Sequence, residues 1–168
     1  FYIDRYEVTN RRYQAFIKAI DYFKPSHWEN GTYPEGQDDY PIVWANWFDA
    51  SNYCDWAGKR LPTEKEWERA ARGKNGTEYP WGNEFNPKAA NLSDKAGSKT
   101  EPTAVGSFPE GASSEGVHDL IGNVWEWVND DYAPYDGSDA KGNDFESGHK
   151  VLRGQSVAYI GHFPGPSY

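Results

Sequence analysis

The spacing of apolar residues predicts three short helices in the first half of the chain. Apolar side chains at helical intervals between residues 13 and 20 follow Thr9, whose hydroxyl can cap the first backbone N–H groups. A second amphipathic helix is predicted over about residues 47–57. Gly58 should end it, because glycine tolerates a positive φ. Both helices therefore have an apolar stripe to bury.

A third helix is predicted from a capping box. Thr63 and Glu66 have the spacing at which each side chain can bond the other residue's backbone N–H. The helix should present Trp67 to the core and stop at Gly73.

Beyond residue 73 the helical pattern disappears. Residues 1–6 alternate apolar and polar positions imperfectly and predict a short strand, as do the apolar pieces at 103–105 and 151–152. Residues 21–46 predict a loop that packs, because they are rich in aromatic side chains. The pattern predicts a single α+β domain over residues 1–168, with few helices, short strands and much irregular structure.

Composition narrows the function classes. The chain has 168 residues, enough for one domain with a sizeable core, and 17 Lys and Arg against 26 Asp and Glu give a net charge of −9. The absence of a basic block argues against a nucleic-acid partner. No apolar run is long enough to span a membrane, and no signal peptide is visible. The chain begins at Phe1, so the compartment stays open, with a cell-surface or secreted location among the options.

The sequence gives little support for a cysteine nucleophile or for a histidine metal site. Cys54 is the single cysteine, which excludes an internal disulfide and any site that needs two thiolates. It lies on the apolar face of the second helix, where a small buried hydrophobe is the interpretation we weigh against a nucleophile. The four histidines have spacings that match no zinc motif.

The segment 122–127 (GNVWEW) is the most informative part of the chain. Trp125 and Trp127 each bring a large apolar face and an N–H that needs a partner when buried. We expect them to be structural and to pin the loop to the core. Glu126, between them, must face solvent, a network of donors or a cation.

Oxygen ligands cluster around the same turn. Asp119, Asn123 and Glu126 lie within eight residues, and carboxylate, amide and main-chain oxygens are what calcium needs. The alternative is that Asp119 and Asn123 close a turn by bonding their own backbone. Asn91 and Asp94 form a second candidate of the same kind.

Several motifs in order make the chain resemble the formylglycine-generating enzyme (sulfatase-modifying factor) superfamily. The resemblance implies a C-type-lectin-like fold with little regular structure, and it spans nearly the whole chain. The motifs are residues 6–10 (YEVTN), 58–64 (GKRLPTE), 66–68 (EWE), 70–73 (AARG), 79–82 (YPWG), 122–127 (GNVWEW) and 151–154 (VLRG).

The same resemblance implies calcium as a structural cofactor. One site would use the Asp119 side chain, the Gly122 and Val124 carbonyls and the Glu126 carboxylate. A second site would begin at Asn91 and the Leu92 carbonyl.

Copper chemistry is not expected. The oxidase members of the superfamily bind copper through two cysteines, and counting along this chain places Tyr159 and Pro164 at those positions. Neither side chain can bind Cu(I), which needs the thiolates. We therefore expect a chain that is not an enzyme and binds no copper. The alternative is an oxidase-like relative or a degenerate enzyme with a site that the sequence does not reveal.

A non-enzymatic branch is more similar: the variable proteins of diversity-generating retroelements. These proteins diversify exposed positions near the C-terminus by mutating Asn codons. The mutated codons cannot encode Lys, Glu, Gln, Met or Trp. None of these five residue types occurs in residues 156–168. The alternative is an aromatic strand and a Pro-Gly turn that lack them by chance.

This resemblance implies a binding surface for an unknown ligand, a protein or a surface molecule. We expect Arg153 and Gly154 to anchor the segment. The expected ligand-binding residues are Val157, Ala158, Tyr159, Ile160, His162, Phe163, Ser167 and Tyr168.

Overall fold

A computed structural model describes residues 1–92, 101–135, 137–139, 145 and 148–155. The expected ligand-binding residues 157–168 and Asp94 lie outside these ranges. The described chain is α+β, with few helices and short strands, as predicted. None of its helices is long and apolar enough to cross a membrane. The elements are α1 (Asn10–Ile20), α2 (Trp47–Trp56), α3 (Glu64–Arg72), β1 (Glu126–Asp131) and β2 (Lys150–Arg153), with 3₁₀ turns at Glu29–Gly31 and Pro109–Gly111.

All three predicted helices are present because their start signals are local. The Thr9 hydroxyl caps α1. At α3 the Glu66 N–H donates to Thr63 Oγ1 at 3.2 Å and the Thr63 N–H donates to Glu66 Oε2 at 2.9 Å, which is the predicted capping box. Asn46 and Asp49 form a second capping box at α2.

The core consists of two clusters of buried side chains. The first lies between α3 and the sheet, and the second lies between α1, α2 and the loop that follows α1. Trp28, from that loop, is buried in the second cluster, so the prediction that residues 21–46 pack is confirmed. Ile3 packs against the first cluster and Val8 against the second. The N-terminal segment therefore contacts both halves of the core.

The strand predictions were partly wrong. Residues 1–6 and 103–105 form no strand, because the bonds from the His118 N–H to the Arg5 carbonyl and from the Val105 N–H to the Asp39 carbonyl build no ladder within the described ranges. Residues 151–152 do lie in β2, which is antiparallel to β1, with Trp127 opposite Leu152. The pinned loop expected at Trp127 is thus a strand. Its partner lies more than twenty residues away, so local patterning could not reveal the pairing.

Candidate functional site

The Gly122–Asn123 turn is held in place by the chain around Asn91. Both turn residues have a positive φ, 85° at Gly122 and 56° at Asn123. A Cβ at position 122 would lie 2.3 Å from the Asn91 carbonyl oxygen, so only glycine fits there. That oxygen accepts the Asn123 N–H at 3.1 Å. The structure thus brings the two predicted calcium-binding segments into contact.

The Asn123 side chain joins three separate segments. It is 1% exposed. Its Oδ1 accepts the Thr103 N–H at 2.9 Å and an Asn91 Nδ2 hydrogen at 3.2 Å, and its Nδ2 donates to Glu7 Oε2 at 2.7 Å. Asn123 therefore ties the turn to distant parts of the chain instead of closing the turn on its own backbone.

Three carboxyl groups interact at this turn. Burial, with a smaller contribution from the nearby Asp119, raises the pKa of Glu126 to about 8, and the hydrogen bond from Trp67 opposes this rise. Burial also raises the pKa of Glu7 well above its ordinary value, with added repulsion from Glu126 and Asp119, and burial raises the pKa of Asp119. The Glu126 residue is half-buried, but its Oε1 atom is shielded from solvent and has no hydrogen-bond partner. The same is true of the Glu7 Oε1 atom.

Glu7 is the residue that sequence reasoning missed. It lies 116 positions before Asn123 and reaches the turn only through the fold. The available signal was an acidic residue in an apolar stretch just before a helix cap, which is unusual because a buried carboxylate needs a partner.

The residues at the turn fit a cation with oxygen ligands. Glu7 and Glu126 each have one buried carboxylate oxygen without a hydrogen-bond partner. A cation beside them would keep both groups ionised. Across the part of the chain that the structure describes, no three acidic, His or Cys side chains converge on a possible metal site. A calcium ion would therefore also need main-chain oxygens, such as the Gly122 and Val124 carbonyls of the predicted set.

Other single residues support the ordinary structural interpretation. Cys54 is half-buried, and burial raises the pKa of its thiol to about 11, so the thiolate that a nucleophile needs is scarce at neutral pH. His118 is buried and its Nε2 lies 3.4 Å from the Arg5 guanidinium.

The tryptophans of GNVWEW form one wall of a large cleft. The Trp127 indole N–H donates to the Ala45 carbonyl at 2.9 Å. Glu126, which alternates with the two tryptophans, instead accepts the N–H of buried Trp67 at 3.1 Å. The cleft has a volume of about 1550 Å³ and is lined mainly by apolar and aromatic side chains. The aromatic wall and Glu126 therefore both line this cleft.

The predicted anchor at Arg153 is a buried ionic contact. Arg153 is 2% exposed, and its guanidinium lies 3.3 Å from Glu64 Oε1 and 3.2 Å from Glu68 Oε2. The guanidinium also lies 5.1 Å from the centre of the Trp67 ring. Gly154 follows with a φ of 78°, a conformation that favours glycine. β2 is thereby fixed to α3 just before residue 156.

Comparisons with known proteins agree with this architecture. Residues 1–165 match the family described as the sulfatase-modifying factor enzyme 1-like domain. The chain is 37% identical to the inactive C-alpha-formylglycine-generating enzyme 2 of Mus musculus, over 87% of this chain and 49% of that protein. It is 31% identical to the hercynine oxygenase of Mycolicibacterium thermoresistibile, over 100% of this chain and 46% of that protein.

Among solved structures, the Treponema denticola variable protein 1 superposes with a TM-score of 0.65 at 24% identity, covering 92% of this chain and 72% of that one. This likeness shows a shared fold, and it confirms the predicted C-type-lectin-like architecture. The chain spans about half or less of the length of the curated relatives compared here.

Proposed function

The chain belongs to the sulfatase-modifying factor enzyme 1-like family, and we propose that within this family it is a ligand-binding protein and not an oxidase. One observation carries the proposal: Cys54 is the only cysteine, and it is half-buried with a raised pKa. The pair of thiolates that Cu(I) requires cannot be assembled from one such thiol. The name of the mouse relative, an inactive formylglycine-generating enzyme, supports the same interpretation.

A second candidate is a degenerate or oxidase-like enzyme of the family. It is favoured by the hercynine oxygenase relative, whose match extends over the whole chain. The gene neighbourhood distinguishes the two. A reverse transcriptase gene and a near-copy of the 3′ coding segment that differs at adenines would support the binding protein, and their absence would favour the enzyme.

The proposed binding surface is the segment 156–168, displayed from a fixed anchor. Support comes from the buried contact of Arg153 with Glu64 and Glu68, which fixes the chain just before the segment begins. The shared fold with a variable protein is compatible with this arrangement. The ligand would be a protein or a surface molecule, which suits a cell-surface or secreted location.

We expect the proposed surface to tolerate wholesale substitution. Exposed positions typically change stability by within about 0.5 kcal/mol each. A library randomised at Tyr159, Ile160, His162, Phe163, Ser167 and Tyr168, scored by protease resistance, should remain mostly folded. A matched library at the buried core positions Trp67, Leu120 and Val128 should mostly unfold. If most members of the first library unfold as well, the segment is core and the proposal fails.

We also propose calcium as a structural cofactor at the Gly122–Asn123 turn. The Asp119 and Glu126 carboxylates and the Gly122 and Val124 carbonyls would hold it, with Asn91 and the Leu92 carbonyl beginning a second site. The ion would supply positive charge to a buried acidic cluster. The orphaned oxygens of Glu7 and Glu126 support this proposal, since a cation would keep those groups ionised.

This proposal predicts that the stability of the protein depends differently on pH with and without calcium. In metal-free protein the Glu126 pKa rises from 4.5 to about 8 on folding, so the folded state binds the proton more tightly. The free energy of unfolding should therefore fall as the pH rises from about 4.5 to about 8. Calcium, which binds the folded state, should raise stability most at the upper end of that range.

Urea denaturation across this pH range, in chelator and in calcium, measures the effect. Glu126→Gln should reduce the pH slope and abolish the calcium response, whereas Glu110→Gln, at an exposed position, should change neither. A calcium response that survives Glu126→Gln, or no response in the unmodified protein, would rule out this site.

A further inference from the structure

The tripeptide Asn-Gly-Thr occurs twice in the chain, at residues 30–32 and 75–77. An asparagine followed by glycine is prone to deamidation, because glycine has no Cβ to shield its backbone nitrogen from the asparagine side chain. Asn30 and Asn75 are both exposed. Since the two local sequences are the same, a difference in their reactivity in the folded protein must come from the surrounding structure.

The first copy of the tripeptide is restrained. It overlaps the 3₁₀ turn Glu29–Gly31. The Thr32 hydroxyl accepts a hydrogen bond from the Gln14 side chain at 2.8 Å, which ties the turn to α1. A Cβ on Gly31 would lie 2.9 Å from Lys24 Nζ, so the Lys24 side chain must move before this peptide can rotate. Deamidation needs that rotation, and we expect the fold to oppose it here.

The second copy lies in the turn that follows α3 and is less restrained. No atom of the described chain lies within 4 Å of a Cβ placed on Gly76. Gly76 is held through its carbonyl oxygen, which accepts a hydrogen from the Arg72 guanidinium at 3.0 Å. Its N–H, which is the reacting group in deamidation, takes part in no hydrogen bond within the described residues. The peptide between Asn75 and Gly76 can therefore rotate when one side-chain contact opens.

Deamidation at Asn75 needs no redox partner, and water is its only co-reactant. The Gly76 backbone nitrogen attacks the Asn75 side-chain carbonyl carbon and forms a new C–N bond, while the C–N bond of the side-chain amide breaks. The amide nitrogen leaves as ammonia with the proton of the Gly76 N–H, and a succinimide ring remains. Water then opens the ring at either carbonyl. The products are aspartate and isoaspartate, and each has a new carboxylate.

The turn after α3 is connected to the anchor of β2 through Arg72. The Arg72 guanidinium donates to the Gly76 and Thr77 carbonyls, each at 3.0 Å. It also lies 3.1 Å from Glu68 Oε1, and Glu68 Oε2 lies 3.2 Å from Arg153. In isoaspartate the main chain passes through the former side chain and is longer by a methylene group. The two carbonyls would then shift relative to Arg72, and the support of Glu68 and Arg153 would weaken.

We propose that the folded protein deamidates spontaneously at Asn75 and that the isoaspartyl product loosens the contacts from Arg72 through Glu68 to the Arg153 anchor. The turn after α3 is thus a site of covalent modification. The inference goes beyond the proposed ligand binding and the proposed calcium site, and it depends on neither.

The test follows both tripeptides in the same molecule. The full natural polypeptide is incubated in mildly alkaline buffer, folded and in urea, and peptide mapping by mass spectrometry measures the conversion at each asparagine over time. In the folded protein, Asn75 should convert several times faster than Asn30. In urea the two rates should be equal, because the structural difference is gone. Asn75→Gln is the control at this exposed position, and it should leave the rate at Asn30 unchanged.

A second measurement tests the effect on the anchor. Anion exchange separates the deamidated protein by its additional negative charge. The isoaspartyl form should unfold at a lower urea concentration than the unmodified protein and should be cut faster by protease next to β2. Asn75→Asp adds the charge without lengthening the main chain, so it should lose less stability than the isoaspartyl form.

Several results would overturn the inference. Equal rates at Asn30 and Asn75 in the folded protein, or a faster rate at Asn30, would show that the turn after α3 is not the reactive site. A rate difference that persists in urea would assign the cause to flanking sequence instead of structure. An isoaspartyl form as stable as the unmodified protein would show that the turn does not support the anchor. None of these results bears on ligand binding or on calcium, which have their own tests.

Discussion

Replacing Trp67 with alanine is expected to remove a large part of the protein's free energy of unfolding. Trp67 is 0% exposed and lies at the centre of the cluster between α3 and the sheet. Trp→Ala in such a packed site costs about 3–5 kcal/mol, because the cavity remains after the transfer energy is lost. A domain of this size has a total stability of only about 5–15 kcal/mol. The measurement is equilibrium urea denaturation followed by circular dichroism.

The polar edge of Trp67 adds to this cost. Its N–H donates a hydrogen bond to the Glu126 carboxylate at 3.1 Å. Trp67→Phe keeps most of the ring and removes that N–H, so it should lie between the unmodified protein and Trp67→Ala. Trp44→Ala, at an exposed tryptophan, should fall within about 0.5 kcal/mol of the unmodified protein. A Trp67→Ala variant of near-normal stability would contradict the assignment of Trp67 to the core.

Arg153→Ala should be nearly as damaging, for an electrostatic reason. The Arg153 side chain is 3% exposed and contacts both Glu64 and Glu68. Removing one member of a buried ion pair costs about 3–5 kcal/mol. The reason here is that Glu64, whose side chain is 15% exposed, loses its counter-charge, while Glu68 keeps its contact with Arg72. The loss of stability should be accompanied by faster proteolysis next to β2, since the anchor of the C-terminal segment is gone. Limited proteolysis with mass spectrometry locates the first cut.

An exposed ion pair supplies the control for Arg153. Arg11 pairs with Asp39, and both side chains are more than half exposed. Arg11→Ala should cost no more than about 1 kcal/mol, the usual contribution of a surface salt bridge. Equal effects of Arg153→Ala and Arg11→Ala would show that the Arg153 contact adds no more than a surface pair.

The candidate site was predictable only in part. Asp119, Asn123 and Glu126 lie within eight residues, so their spacing indicates an oxygen-rich turn without any fold, whereas the Gly122 and Val124 carbonyls were implied only by the family resemblance. Glu7 enters the same cluster from the other end of the chain. Burial, and then repulsion from Glu126, raise the pKa of Glu7, and both depend on how the N-terminal segment lies between the two clusters of the core.

The sequence by itself determined the helices, the α+β class and the family. Capping boxes and helical spacing act over three or four residues, so the Thr63–Glu66 pair specifies the start of α3 before any tertiary contact forms. The single cysteine is likewise a property of the sequence alone.

Tertiary structure alone decided which segments pair and which charges are buried. Residues 1–6 have a strand-like pattern yet form no strand, while β1 forms because β2 lies beside it. The buried Arg153 and the acidic cluster at Glu7 follow from contacts between residues far apart in the chain. Strand pairing, burial and the pKa shifts that burial causes depend on neighbours in space, and sequence spacing specifies only neighbours along the chain.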